Sequence, residues 1–347
     1  MTKPPRARTR LSPFNLALSA LALIVIVLVG TKLANWAVIN AVWGSGADAS
    51  ERCRDARGVG ACWALIGQKY RFLLFSSYPY AEQWRPAVAC AILLALVLAT
   101  TVRRFWTPRL ALAWAVGGGL SVALLRGGFA ELPAVAADQW GGLAITLILA
   151  LSVAAFSLPW GVALALGRQS SGYPIISRAC IAYVEFIRSI PLVSLFFMGI
   201  VLFPILIPSE LGLGQVGRAL IILTIFYGAY VAEAVRGNLQ SLDAGQAEAA
   251  ISLGLGYWTR TLLVILPQVL RASVPALVGT FIGLVKDTSL VFLLGVFDIL
   301  NTAKLATVDP LWQAYSVEAL LFAAALYFFI CASISAIGGK AETQQAR

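Results

Sequence analysis

Long apolar runs separated by short polar segments constrain this chain more than anything else in it. A helix needs about 20 mostly apolar residues to cross the hydrocarbon core of a bilayer, where no backbone polar group can be left open to lipid. The runs at 16–38, 86–102, 108–125, 143–167, 179–206, 216–235, 272–296 and 316–337 approach or exceed that length. They predict an all-α polytopic bundle of about eight membrane spans. Composition agrees: 60% of the 347 residues are hydrophobic and 12% charged, where a soluble domain has roughly a quarter charged.

The net charge of +10 does not imply a nucleic-acid partner, because basic residues at the inner ends of membrane helices give the same surplus. Lys3, Arg6, Arg8 and Arg10 precede the first run, and no small-residue cleavage site closes a short apolar core there. The first run therefore reads as an uncleaved span that leaves the N-terminus inside. Eight spans then return the C-terminus to the same side. One segment runs against the charge rule: Arg52, Arg54, Arg57, Lys69, Arg71 and Arg85 all lie on the outer side, in or at the edge of a hydrophilic loop of about 43–85. Cys53 and Cys62 fall in this loop, where an oxidising compartment permits a disulfide and two free thiols are the alternative. Cys90, Cys180 and Cys331 read as small core residues.

The chain has no histidine, which removes histidine-based catalytic dyads and most transition-metal sites. No catalytic set and no metal site is expected. The phosphate-binding pattern G-x-x-x-x-G-K-[ST] does not occur, and Gly338-Gly339-Lys340 lacks both the upstream glycine and the following hydroxyl.

Charges inside apolar runs carry more information, since each costs about 2.5–3.5 kcal/mol at a span centre on insertion scales. Lys286 and Asp287 sit in FIGLVKDTSLVFLLGV. Neighbours on a helix point about 100° apart and cannot face each other. Each needs a partner on another helix, water or a ligand. Interhelical ion pairing is one reading. A zwitterionic ligand is the other, with the hydroxyls of Thr288 and Ser289 beside the charges. Glu185 and Arg188, three apart, read as a local ion pair; Glu233 and Arg236, also three apart and near the inner face, either orient the segment that follows or form a solvated interfacial pair. Pro191 lacks an N–H and should bend or break its helix, as in ligand-lining broken helices or in a structural kink. Tyr227 and Tyr230 share a face and either line a path or pack.

The segment EAAISLGLGYWTRTLLVILP, Glu248 to Pro267, lies on the inner side under this topology. Asp243 with Gln246 forms an Asp-x-x-Gln cap pattern for a short helix. Ala247, Ala249 and Ala250 keep that helix slim, Gly254 and Gly256 offer a φ > 0 stop, and a second helix should run to Pro267. The segment resembles the EAA loop of bacterial ABC-importer permeases: Glu-Ala-Ala, three residues, Gly, nine residues, Ile, one residue, Leu-Pro. Glu248, Ala249, Ala250, Gly254, Leu266 and Pro267 are in register, and Val264 replaces Ile.

Residues 142–301 are similar to the polar amino-acid branch of those permeases. The matching segments are Tyr183-Val184-Glu185-Phe186-Ile187-Arg188 with Pro191-Leu192, Gly228-Ala229-Tyr230-Val231-Ala232-Glu233 with Arg236-Gly237 and Gln240-Ser241, and Lys286-Asp287-Thr288-Ser289-Leu290. Residues 62–86 resemble the N-terminal part of general L-amino-acid permeases. Ser189-Ile190, Asn238 and Leu242-Asp243 depart from the pattern.

The resemblance implies a five-helix permease core, about 141–347, with a cytoplasmic coupling loop of about 237–270, preceded by a three-helix extension, 1–140. It implies coupling residues Gly245, Glu248, Ala249, Ala250, Gly254, Leu266 and Pro267. Candidates for the substrate path are Glu185, Arg188, Pro191, Tyr230, Lys286, Asp287, Thr288 and Ser289. It implies residence in a bacterial inner membrane and import of L-amino acids from the periplasm. Expected partners are an ATPase dimer holding ATP and magnesium, a second permease chain and a periplasmic amino-acid-binding protein. Competing classes are a membrane-embedded enzyme, which would need a cluster of carboxylates or histidines, and a stand-alone secondary transporter.

Overall fold

A computed structural model describes residues 13–170, 172–206 and 214–343. The basic residues Lys3, Arg6, Arg8 and Arg10 lie outside them. The first helix, α1 (Pro13–Ala34), is apolar on every side and buries none of its side chains against the rest of the chain, as a lipid-facing span should. Two short helices follow, α2 (Ala49–Asp55) and α3 (Ala64–Phe75). Then come α4 (Trp84–Thr100) and α5 (Pro108–Arg126). Arg85, fully buried, holds the end of α5: its guanidinium donates to the carbonyls of Leu124 at 2.7 Å, Leu125 at 3.3 Å and Pro133 at 3.0 Å. A cation there satisfies the open carbonyls of a helix C-terminus.

The core is built around α6 (Gly142–Arg168) and α9 (Gln215–Ser241). They cross where Gly161 meets Gly228. A Cβ on Gly161 would lie 2.5 Å from the Val231 side chain and 2.7 Å from the Gly228 carbonyl oxygen; one on Gly228 would lie 2.4 Å from the Trp160 ring. Small residues let membrane helices approach this closely, which replaces the missing hydrophobic drive with dispersion contacts. Between them in sequence, α7 (Pro174–Ser189) and α8 (Leu192–Leu206) are separated by a 104° bend. The break falls at Ile190 and Pro191, where the missing N–H predicts it.

The coupling segment holds α10 (Ala244–Ser252) and α11 (Tyr257–Arg260). A π-helical turn, Thr261–Ile265, then leads into α12 (Leu266–Asp287), so one helical run extends from Tyr257 to Leu294. The helix does not stop at Pro267 as the sequence suggests. Pro267 sits in the first turn of α12, and the wide π turn before it accommodates a residue that cannot donate. Beyond Asp287 the helix tightens into a 3-10 segment, Thr288–Leu294, that ends at Gly295 with φ +80°. Lys286 and Asp287 therefore close the regular helix and do not lie in its middle.

The strand Phe297–Asp298 bridges in parallel to Gly141 and Gly142, and α13 (Ile299–Ala306) and α14 (Ser316–Thr343) complete the bundle. Gly142 has φ +63°, and a Cβ there would lie 2.2 Å from the Leu74 carbonyl oxygen. Among the described residues, seven helices are long and apolar enough to cross a membrane, or eight if the bent pair counts as one span.

The segment expected as a loop at 43–85 is a folded cap. Cys53 and Cys62 are joined, with Cα atoms 5.4 Å apart. Trp63 donates to the Ala37 carbonyl at 2.7 Å, and the Cys62 N–H donates to Glu318 at 2.8 Å. Lys69 pairs with Asp309 at 3.0 Å. Leu65 and Leu73 pack with Ile299, Trp312 and Tyr315. The cap thus covers the α13 and α14 ends of the bundle, at the far end of α12 from α10.

Candidate functional site

Three groups of polar residues stand out against the apolar bundle. The first is α10. Asp243 caps it, accepting the Gly245 N–H at 2.8 Å. The reciprocal half of the cap is missing, because the Gln246 side chain meets Gln268 instead. Gly254 ends the helix with φ +77° and has open space where a Cβ would stand. Gly256 does not share the left-handed conformation; its φ is −64°. Ala250 is buried against the bundle, whereas Gly245, Glu248 and Ala249 are exposed. So are Leu253 at 79%, Trp258 at 66% and Ile251 at 55%. Leu266 and Pro267 anchor the following helix.

The second group joins α6, α7 and α9. Glu233 is its hub. Arg236 holds it through two donors, at 2.5 and 3.0 Å, while Arg188 reaches it at 3.3 Å and Arg168 at 3.4 Å. Arg168 also pairs with Glu185 at 3.0 Å. The local pair predicted between Glu185 and Arg188 is not made. Three-residue spacing makes such a pair possible, but the α6 arginine and the α9 carboxylate offer each partner a stronger competitor. The Arg188 guanidinium also lies over the Tyr230 ring, 5.6 Å from its centre.

The third group lies at the end of α12. Asp287 accepts the Tyr227 hydroxyl at 2.6 Å. Neither Asp287 nor Lys286 forms an ion pair among the described residues, so the interhelical pairing considered for them is absent there. Lys286 is exposed and lines a cavity of about 500 Å³ with Ser289, Tyr327, Phe328 and Cys331. Thr288 is fully buried and donates to the Val285 carbonyl at 2.7 Å, which marks it as a helix-end residue.

One centre was not singled out from sequence. Asp298, fully buried, caps α13 by accepting the N–H groups of Leu300 at 3.2 Å and Asn301 at 3.0 Å, and it takes the Tyr327 hydroxyl from α14. Asn301 donates to Asp298 at 2.6 Å and to the Ser289 carbonyl at 2.7 Å. The signal was the one used for Lys286 and Asp287, a charge within an apolar run.

The profile of the family described as "binding-protein-dependent transport system inner membrane component" matches residues 157–340. The chain is 42% identical over 309 residues to the inner membrane amino-acid ABC transporter permease protein YhdY of Escherichia coli, covering 87% of this chain and 82% of that protein. It is 32% identical over 388 residues to the glutamate/glutamine/aspartate/asparagine transport system permease protein BztC of Rhodobacter capsulatus, covering 93% and 88% respectively. A crystal structure of an amino acid ABC transporter superposes with a TM-score of 0.50 at 27% identity, over 58% of this chain and 90% of that one. The first two are named as transport permease proteins and the third as an amino acid ABC transporter. The chain therefore belongs to the family of binding-protein-dependent transport system inner membrane components and stands among its ABC permeases.

Proposed function

We propose that this chain is the permease subunit of an ATP-binding-cassette importer that carries L-amino acids, polar or of broad range, from periplasm to cytoplasm. The observation that carries the reading is α10 with the turn and short helix after it: a capped, slim helix, followed through to α11, that leaves Ile251, Leu253 and Trp258 uncovered in a segment matching the EAA pattern. Apolar side chains exposed on a polar segment suit a partner groove. That partner is an ATPase dimer holding ATP and magnesium. A second permease chain, homologous to this one, completes the pore, and a periplasmic binding protein delivers the amino acid. Both termini are cytoplasmic. Residues 1–140 form an extension with its outer cap, and 141–347 form the permease core.

In this account ATP closes the ATPase dimer, α10 transmits the motion into α12, and the helices open alternately to either side. The amino acid passes along Pro191, Arg188 and Tyr230 and the end of α12. Asp287 offers a carboxylate for the ammonium group, and Arg188 and Lys286 offer cations for the carboxylate. Glu185 steadies Arg168 at the inner end of this route. Ser289 lies beside Lys286, and Thr288 holds the helix end.

The test is Gly254→Asp. The open space around Gly254 admits the side chain, so the change acts through the left-handed backbone, at about 1–2 kcal/mol, and through a charge facing the partner. The variant should insert normally and pull down little or no ATPase. Full ATPase recruitment would overturn the coupling role of α10.

A further inference from the structure

The cap carries two arginines that the transport account above does not use. Insertion disfavours basic residues on the outer side of a membrane, yet six border or occupy this segment. Four have structural work inside the chain. Arg52 pairs with Asp48 at 3.0 Å and Lys69 with Asp309 at 3.0 Å. Arg71 donates to Gln83 and to the Tyr80 carbonyl, both at 2.8 Å, and Arg85 closes α5. The other two, Arg54 and Arg57, make no side-chain hydrogen bond or ion pair among the described residues. Both are exposed, and both line one polar cavity of about 420 Å³ whose opposite wall is Pro310 to Tyr315.

The backbone that carries the two arginines is held in place. They flank the Cys53 end of the disulfide, on a segment tied to α14 through the Cys62 N–H and Glu318. The facing wall is tied back by Lys69 and Asp309. Both side chains line one cavity, and a guanidinium matches a carboxylate through paired N–H donors.

We propose that Arg54 and Arg57 dock a carboxylate on the rim of the binding protein, so that the cap is part of its receptor surface. This rests on the importer reading above, and on the cap lying at the end of the bundle opposite α10. Both arginines are exposed, so a folded partner can reach them.

The experiment uses the assembled importer in nanodiscs, titrated with its amino-acid-loaded binding protein while ATP hydrolysis is followed. Arg54→Glu/Arg57→Glu should raise the half-stimulating concentration of binding protein on the order of tenfold or more. Excess binding protein should recover the maximal rate. Arg54→Gln/Arg57→Gln should give a smaller shift and flatten the salt dependence that screening imposes on the wild type. Unchanged half-stimulating concentration and salt dependence in both variants would overturn the docking role. So would a lowered maximal rate at an unchanged half-stimulating concentration. If the wild type is not stimulated by binding protein at all, the importer reading falls together with this inference. If it is stimulated and both variants match it, the docking role alone falls.

Discussion

Arg188 reaches Glu233 at 3.3 Å, across from α7 to α9, while Glu185, one turn before it on its own helix, pairs with Arg168 of α6. The bent helix pair is thus fastened to the core by charges that cross between helices. Glu233 receives three arginines, and this makes it the carboxylate on which the fastening depends.

Glu233→Gln keeps the volume and removes the charge that holds Arg168, Arg188 and Arg236. Charged hydrogen bonds contribute about 1.5–3 kcal/mol each to stability where they are shielded; a loss of about 2 kcal/mol is expected for the partly exposed hub. Glu185, 59% exposed, should matter less, since exposed ion pairs are worth about 0–1 kcal/mol. Melting curves in detergent should fall by several degrees for Glu233→Gln and scarcely for Glu185→Gln. Equal shifts would remove the hub role.

At the α6–α9 crossing there is no room for a side chain. Gly161→Ala puts a methyl 2.5 Å from Val231 and 2.7 Å from the Gly228 oxygen, and overpacking of this kind costs about 1–3 kcal/mol. Gly118 in α5 has open space around it. Gly118→Ala should be neutral or stabilising by up to about 1 kcal/mol. Thermal melting of the two variants side by side checks the contrast.

The cap should be steady to acid until low pH. Asp309 is held below the ordinary carboxylate range, chiefly by the Leu311 N–H and then by Lys69. A depressed pKa in the folded state contributes stability that is complete above the unfolded value, about 3.9, and is lost as pH falls through the folded one. The protection of the α3 amides, exchange measured relative to the intrinsic rate at each pH, should therefore stay constant from neutral pH down to about 4 and fall below it. Lys69→Met leaves Asp309 less depressed and should shrink the loss. A loss of protection already between pH 7 and 5 would contradict this.

Lys286→Met keeps most of the side-chain volume and removes the cation from its cavity. Uptake should fall, or change its substrate profile, in a complex that still assembles and hydrolyses ATP. Loss of assembly with an unaltered profile would make Lys286 structural. Asp287→Asn keeps a partner for the Tyr227 hydroxyl and should show the same separation of uptake from assembly.

Much of this architecture was legible in the sequence. Span lengths follow from the bilayer, the break at Pro191 from its missing N–H, and the α10 cap and Gly254 turn from local chemistry. What was not legible is partner choice. Arg168 and Glu233 are 65 positions apart, and spacing along one helix says only that a local pair can form, not that it outcompetes a pair across helices. The continuation of the helix through Pro267 depends on a π turn with no residue signature of its own. Asp298 carried the same signal as Asp287, a charge within an apolar run, but its partner Tyr327 lies 29 positions away and is brought to it only by the fold.

The most direct test of the account is uptake of labelled amino acids into proteoliposomes holding this chain with its second permease and ATPase subunits. The account predicts uptake only when binding protein, ATP and magnesium are all present, and its loss when Gly254→Asp replaces the wild type. Uptake by this chain alone, driven by an imposed proton or sodium gradient without ATP, would contradict it.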